Sequence, residues 1–221
     1  MEIADISGAT GAYSFWLAEM GHKVHLSDLV QKHIEIAKQK SDTNNIQLAS
    51  YACADARSLP YGDESMDLVL IMGAMYHLQD RNERIKCLVE ARRVLKPNGR
   101  MLCTVINRYS ALIGCYKYGE INENNIRVID ESIQKGKYSN VYGISNAYFH
   151  LPAEILSEAI DARFTDIHMI AVEGFANAYT SEHYINDEYL LSNMLRHIEM
   201  TEMSPELLCI SKNIIVAGIK N

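Results

Sequence analysis

Three acidic residues and two short turns carry most of the chemistry legible in this chain of 221 residues. Asp5 opens the run Asp5-Ile6-Ser7-Gly8-Ala9-Thr10-Gly11. Its small residues let the backbone approach a ligand closely, and a helix starting just beyond would offer free N–H groups. A structural tight turn explains the run equally well. Gly8 and Gly11 are its only glycines, which is not the G-x-G-x-x-G spacing of a dinucleotide loop. Asp28 stands 28 − 11 = 17 residues beyond the last loop glycine. That is close to the separation of roughly 20 at which an acid meets a ribose in nucleotide-binding folds. A carboxylate there can accept both hydroxyls of a ribose, or it can cap the helix that follows. Asp55, in Ala54-Asp55-Ala56, could accept from the exocyclic amine of an adenine flanked by apolar neighbours, or simply close a turn. His77 has an ordinary pKa near 6.5, suited to orienting a substrate or taking its proton. Capping or packing is its alternative, and Tyr76 beside it has the same choice. His22 and His25 lack a third ligand, so no metal site is expected.

These residues need elements that place them together. The first half alternates short apolar runs with helical patterns, which predicts a parallel sheet with covering helices. Strands are expected at Ile3 to Ile6, Lys23 to Leu26, Gln47 to Tyr51, Asp67 to Met72 and Arg100 to Val105. The run DLVLIM is apolar almost throughout, as befits a central strand buried on both faces. Helices are expected at Tyr13 to Met20, Val30 to Lys40 and Arg81 to Leu95, the last stopped by the turn Lys96-Pro97-Asn98-Gly99. Asp5, Asp28 and Asp55 then each fall at or just past the carboxyl end of a strand, where ligands bind in open α/β sheets. The pattern changes at Asn107. Residues 107–146 are rich in Tyr, Asn, Ile and Gly without a clear period and read as an inserted cap of short helices and loops. Tyr109, Tyr116, Tyr118 and Tyr138 could line a substrate there or merely pack. A helix from Pro152 to Ile160, strands at Phe164 to Val172 and Asn213 to Ile219, and a helical stretch Ser181 to Met203 complete the chain.

The bulk properties limit the function classes. A formal net charge of -7 disfavours non-specific binding to nucleic acid or an anionic membrane. No apolar run approaches the ~20 residues that span a bilayer. The five cysteines are scattered without a C-x-x-C, as expected of reduced thiols. The start lacks the basic and apolar regions of a signal peptide. The expected location is the cytoplasm, with no nucleic-acid or membrane partner. Oligomeric state is left open.

The segments DISGATGAYS, VHLSD, CADARSLPYGDESMDLVLIMGAMYHL and EARRVLKPNGRML, in that order, resemble the core of class I S-adenosylmethionine-dependent methyltransferases of the small-molecule type. The resemblance spans about residues 1–106, with a weaker match in the later segments YFHLPAEILSEAIDARFTDIHMIAVEGFANA and SKNIIVAGIK. It implies a doubly wound, Rossmann-like α/β fold: a mainly parallel seven-stranded sheet with a final antiparallel strand, in a single domain over 1–221. It also implies S-adenosyl-L-methionine as cofactor. Asp5 with Ser7, Gly8, Ala9 and Gly11 would hold its methionine end. Asp28, next to Leu29, would bind the ribose, Asp55 and Ala56 would flank the adenine, and Met72 and Gly73 would line the sulfonium region. Tyr76, His77 and His150 are the catalytic candidates, with Tyr148, Phe149 and Glu173 on the acceptor side. The expected reaction is methyl transfer to an oxygen, nitrogen or carbon of a small molecule.

Two departures qualify the resemblance. Ser7 and Ala9 replace the first two glycines of the usual D-x-G-x-G-x-G loop, and a positive φ at either would be costly. Only four residues precede Asp5, where relatives usually carry a helix, so the chain is either shortened or more open over the cofactor. A catalytically silent cofactor-binding protein of the same fold is the alternative. A nucleic-acid methyltransferase would favour a basic surface, and a nicotinamide dehydrogenase would need other glycine spacing.

Overall fold

The computed structural model describes residues 1–139, 146–179 and 185–221. In chain order the first elements are β1 (Glu2–Ile6), α1 (Ala12–Glu19), β2 (Lys23–Asp28), α2 (Gln31–Asn44), β3 (Ser50–Cys53), β4 (Met66–Ile71), α3 (Ala74–His77), α4 (Arg81–Val94) and β5 (Leu95–Ile106). Then come α5 (Ser110–Lys117), α6 (Glu123–Lys135), β6 (Lys137–Tyr138), β7 (Ala147–Tyr148), α7 (Pro152–Asp161), β8 (Thr165–Ala171), α8 (Glu188–Thr201) and β9 (Asn213–Ile219). The main sheet runs β3-β2-β1-β4-β5-β9-β8. Its pairs from β3 through β5 are parallel, and one strand of the sheet is antiparallel. This is the doubly wound, Rossmann-like arrangement. The chain winds outward from β1 to β3, then returns to place β4 against the other side of β1. That reversal opens a crevice at the carboxyl ends of β1 and β4.

Burial explains why β1 is central. Ile3, Ala4, Asp5 and Ile6 are all buried, with Asp5 in register with Leu26 on one side and Leu70 on the other. Ile3, Phe15, Leu17, Val24, Leu26, Ile34, Ala37, Leu48 and Leu70 form one apolar cluster, joining α1 and α2 to the sheet.

Two elements differ from expectation. β3 begins at Ser50 rather than Gln47, because its ladder follows β2: His25 pairs with Ser50 and Asp28 with Cys53. Leu48 is buried without belonging to the strand, and that burial is the apolar signal read as strand. β5 begins at Leu95, ahead of Lys96-Pro97-Asn98-Gly99. Leu95 pairs with Met66 and Arg100 with Leu68, so the turn bulges out of the strand instead of preceding it. Asn98 takes φ 63. A Cβ on Gly99 would lie 2.8 Å from the Lys96 carbonyl.

The chain falls into two compact units. The first comprises Met1–Thr104, Leu156–Ile167 and Ala217–Asn221; the second comprises Val105–Ile155 and His168–Val216. Residues 107–139 and 146 of the expected insertion lie within the second unit, and 140–145 lie outside the described residues, as do 181–184 of the expected helix Ser181 to Met203. In the second unit Asn122 caps α6 by accepting from the N–H groups of Asn124 and Asn125. Gly136 closes that helix at φ 72, where a Cβ would lie 2.6 Å from the Arg108 guanidinium. Arg108 is buried and pairs with Glu154. No described helix is long and apolar enough to cross a membrane.

Candidate functional site

The first unit gathers Asp5, Asp28, Asp55 and the segment Met72 to His77 at or just past the carboxyl ends of β1, β2, β3 and β4. Asp5 is fully buried at the end of β1, and its Oδ2 accepts from the Ser14 hydroxyl at 2.6 Å. Its Oδ1 has no hydrogen-bond partner among the described residues. Burial pushes this carboxyl up to about 6, against the pull of Ser14, and the charge of Asp28 adds to the rise. Gly8 passes directly over it: a Cβ there would lie 2.5 Å from Asp5 Oδ2. Ser7, Ala9 and Gly11 take φ 56, 48 and 83. The positive φ that is costly for residues with a side chain is therefore present at both substituted positions. Gly11 ends the loop as the N-cap of α1, with no side-chain cap on that helix.

Asp28 is buried and already serves its own chain. Its Oδ2 accepts from Ala9 N at 2.9 Å, while its Oδ1 accepts from Val30 N at 2.8 Å and meets His33 Nδ1 at 3.0 Å. It does not cap α2, whose N-cap is Val30. Three donors leave one of a carboxylate's roughly four acceptor positions open, on Oδ2. Leu29 beside it is exposed. Asp55 is gripped by Arg57, whose Nε and backbone N–H each lie 2.9 Å from Oδ1 and whose terminal nitrogen reaches Oδ2. Hydrogen bonding to Arg57 holds the Asp55 carboxyl below its usual range. Arg57 also pairs with Glu83. Ala56 is buried beside them.

Past β4, Gly73 lets the chain press against the loop after β1. A Cβ there would lie 3.1 Å from the Ser7 carbonyl. Met72 Sδ accepts from the Thr104 hydroxyl at 2.9 Å. The Tyr76 and His77 rings lie 4.7 Å apart. Desolvation lowers the His77 pKa from its ordinary value while the charge of Asp28 opposes it, which favours the neutral ring.

Residues 4–103 match the family described as "Methyltransferase domain". That match, with the strand order and the acids at the strand ends, supports a class I, S-adenosylmethionine-dependent methyltransferase domain over these residues. A ubiquinone/menaquinone biosynthesis C-methyltransferase, UbiE, from Acidiphilium cryptum is 33% identical over 108 residues, covering 48% of this chain and 42% of that protein. The chain spans about half or less of the length of the first curated relatives it matches. A SAM-dependent methyltransferase from Methanosarcina mazei shares the fold over 99% of this chain and 92% of that one, at 16% identity and TM-score 0.67. Phosphoethanolamine N-methyltransferase 2 from Haemonchus contortus, solved with S-adenosyl-L-methionine, matches over 100% of this chain and 48% of that one, at 19% identity and TM-score 0.61. At these identities the likeness is one of fold.

The methyltransferase domain fits the cofactor on its own geometry. S-adenosylmethionine carries a sulfonium and an ammonium, and the crevice offers two nearby buried carboxylates, one with an oxygen in want of a donor. Ser14, His33 and Arg57, which bond to Asp5, Asp28 and Asp55, are partners that motif reading misses. Arg57 alone had a local signal, since an Arg two residues after an Asp can fold back on it. His150 belongs to the second unit and is fully buried, with its backbone N–H on the Ile106 carbonyl at 2.7 Å and its carbonyl accepting from Arg108 N. Its ring abuts Tyr148 edge-on and presents no surface to a substrate. Glu173, in the same unit, accepts from the Ser211 hydroxyl and from both nitrogens of Asn213, which is an internal brace. Phe149 stacks on Tyr138 at 4.6 Å.

Proposed function

We propose that the chain binds S-adenosylmethionine across the carboxyl ends of β1 to β4 and transfers its methyl group to an oxygen, nitrogen or carbon of a small molecule. The observation carrying this reading is the buried Asp5 carboxylate with an open oxygen, set under a left-handed loop in a methyltransferase domain. When bound, the cofactor supplies a methyl group already activated on a sulfonium, so positioning and water exclusion are the protein's main tasks. Asp5 and the loop Ser7, Gly8, Ala9 and Gly11 would hold the methionine end. Asp28, beside Leu29, has room for one ribose hydroxyl. His33, whose side chain is 39% exposed, is the donor that can leave to admit the second. Asp55 and Ala56 would flank the adenine, and Arg57 would hold the Asp55 carboxylate in its ionised form, as an amine donor requires. Met72 and Gly73 would border the sulfonium. Neutral His77 would take a proton from an acceptor O–H or N–H, with Tyr76 as its packing partner. A small acceptor rather than nucleic acid suits the net charge of -7, and the cytoplasm is the compartment we propose.

Calorimetry on the whole chain tests this directly. S-adenosylmethionine and S-adenosylhomocysteine should bind and nicotinamide dinucleotides should not. Asp28→Ala should weaken binding at least tenfold, since a charge-assisted hydrogen bond contributes roughly 1.5–3 kcal/mol. A folded chain that ignores both sulfur cofactors would sink the reading.

A further inference from the structure

The second unit holds a cavity of its own, ≈ 350 Å³, with Ile106, Ala111, Gly114 and Phe149 among its apolar walls. That volume lies at the small end of the range of about 300–1,000 Å³ typical of small-molecule sites. Three observations mark it as built for a ligand rather than left by loose packing. Tyr138 lines it and is only 4% exposed, so a phenol stands among those apolar walls as a polar handle. Burial also pushes its pKa up to about 12, so it stays a donor across ordinary pH. Gly114 sits in the middle of α5 with nothing within 4 Å of where its Cβ would be. Glycine inside a helix is unfavourable relative to alanine, and here its effect is to keep the cavity open. Lys117 and Lys212 line the cavity against a single described carboxylate, Glu120, so the local field favours an anion.

We infer that this cavity binds a flat, mainly apolar small molecule ending in a carboxylate. The ring system lies against Phe149 and the aliphatic wall, the Tyr138 hydroxyl donates to the carboxylate, and the lysines supply the compensating charge. Every residue invoked lies in the second unit, so the inference does not rest on methyl transfer.

The probe is 2-naphthoate, titrated into the full chain by calorimetry, with 2-naphthylmethylammonium as its cationic counterpart. Naphthoate should bind saturably and at least tenfold more tightly than the cation. Tyr138→Phe keeps the ring stacked on Phe149 and should weaken naphthoate about tenfold with an unchanged melting temperature. Gly114→Leu should abolish binding while leaving the helix as stable or more so. Absence of saturable binding at millimolar naphthoate, equal affinity for the cation, or a Gly114→Leu chain that binds as well as its parent would each overturn the inference.

Discussion

Ser7 and Ala9 adopt a backbone that L-residues avoid, at φ 56 and 48. The left-handed region costs a side-chain-bearing residue roughly 1–2 kcal/mol. The loop persists because other contacts over-determine it: Asp28 accepts from Ala9 N, and Gly8 is fixed over Asp5. Ser7→Gly and Ala9→Gly should each therefore stabilise the chain by about 1 kcal/mol, after the entropy of the added glycine is subtracted. Urea denaturation reads this, and two destabilised variants would mean that the loop is not left-handed in solution. Asp5 gives a second expectation, with an unusual sign. Its folded pKa of about 6 exceeds the ordinary 3.8, so between those values the native chain binds more protons than the unfolded one. Stability from this group is therefore lost as pH rises through that window. Above pH 6 the deficit levels off near ~3 kcal/mol, taking 1.36 kcal/mol per unit. The advantage of Asp5→Asn over the parent should grow from pH 4 to pH 6 and then stay flat. A difference that is constant over that range would remove the burial argument.

Arg84 and Glu158 join α4 to α7 with both side chains out of water, 2% and 1% exposed. The guanidinium is shared: Nε and the second terminal nitrogen hold the carboxylate, and the first donates to the carbonyls of Leu78 and Gln79. One side chain thus ties α7 to the segment that follows Tyr76 and His77. Removing one member of a buried pair leaves the other charge uncompensated, at roughly 3–5 kcal/mol. Glu158→Gln should lose stability on that scale in urea denaturation, and a loss below 1 kcal/mol would show that water reaches the pair. Neither residue announces this in the sequence, where Arg84 looks like one more charge on an amphipathic helix. The elements themselves were more legible. DLVLIM became β4 within one residue, SKNIIVAGIK contains β9, and the three acids fell beside the strand ends where the pattern put them. The left-handed Ser7 and Ala9 were not legible as such, because a non-glycine residue with positive φ leaves no mark on periodicity. Arg108, buried on Glu154 in a Tyr- and Asn-rich stretch without a period, stayed hidden for the same kind of reason.

At the scale of the whole chain, the two units separate the two binding expectations. A ligand stabilises the native state by RT ln(1 + [L]/Kd), about 2.7 kcal/mol at one hundred times Kd. For a chain of this size that is a melting shift of roughly 5–10 °C, at about 2–4 °C per kcal/mol. A melting shift alone does not say where the ligand sits. Hydrogen exchange does, because local opening reports on the backbone that a ligand covers. S-adenosylhomocysteine should slow exchange at 7–12, 29–30, 54–57 and 72–77, where the loop, the Asp28 turn, the Arg57-held Asp55 and the Gly73 crossing lie. The loop should respond most. Its left-handed residues are the least favourable part of the site, and a ligand that contacts it opposes its opening. His77 adds a pH arm. Desolvation lowers its pKa from the ordinary value, so any methyl transfer that needs its free ring should level off at alkaline pH and fall as acid protonates the ring, with a midpoint below 6.5. His77→Gln should flatten that fall without moving the exchange pattern. A rate whose midpoint lies above 6.5 would take the proton-acceptor role away from His77 and leave the cofactor assignment to stand on the exchange data.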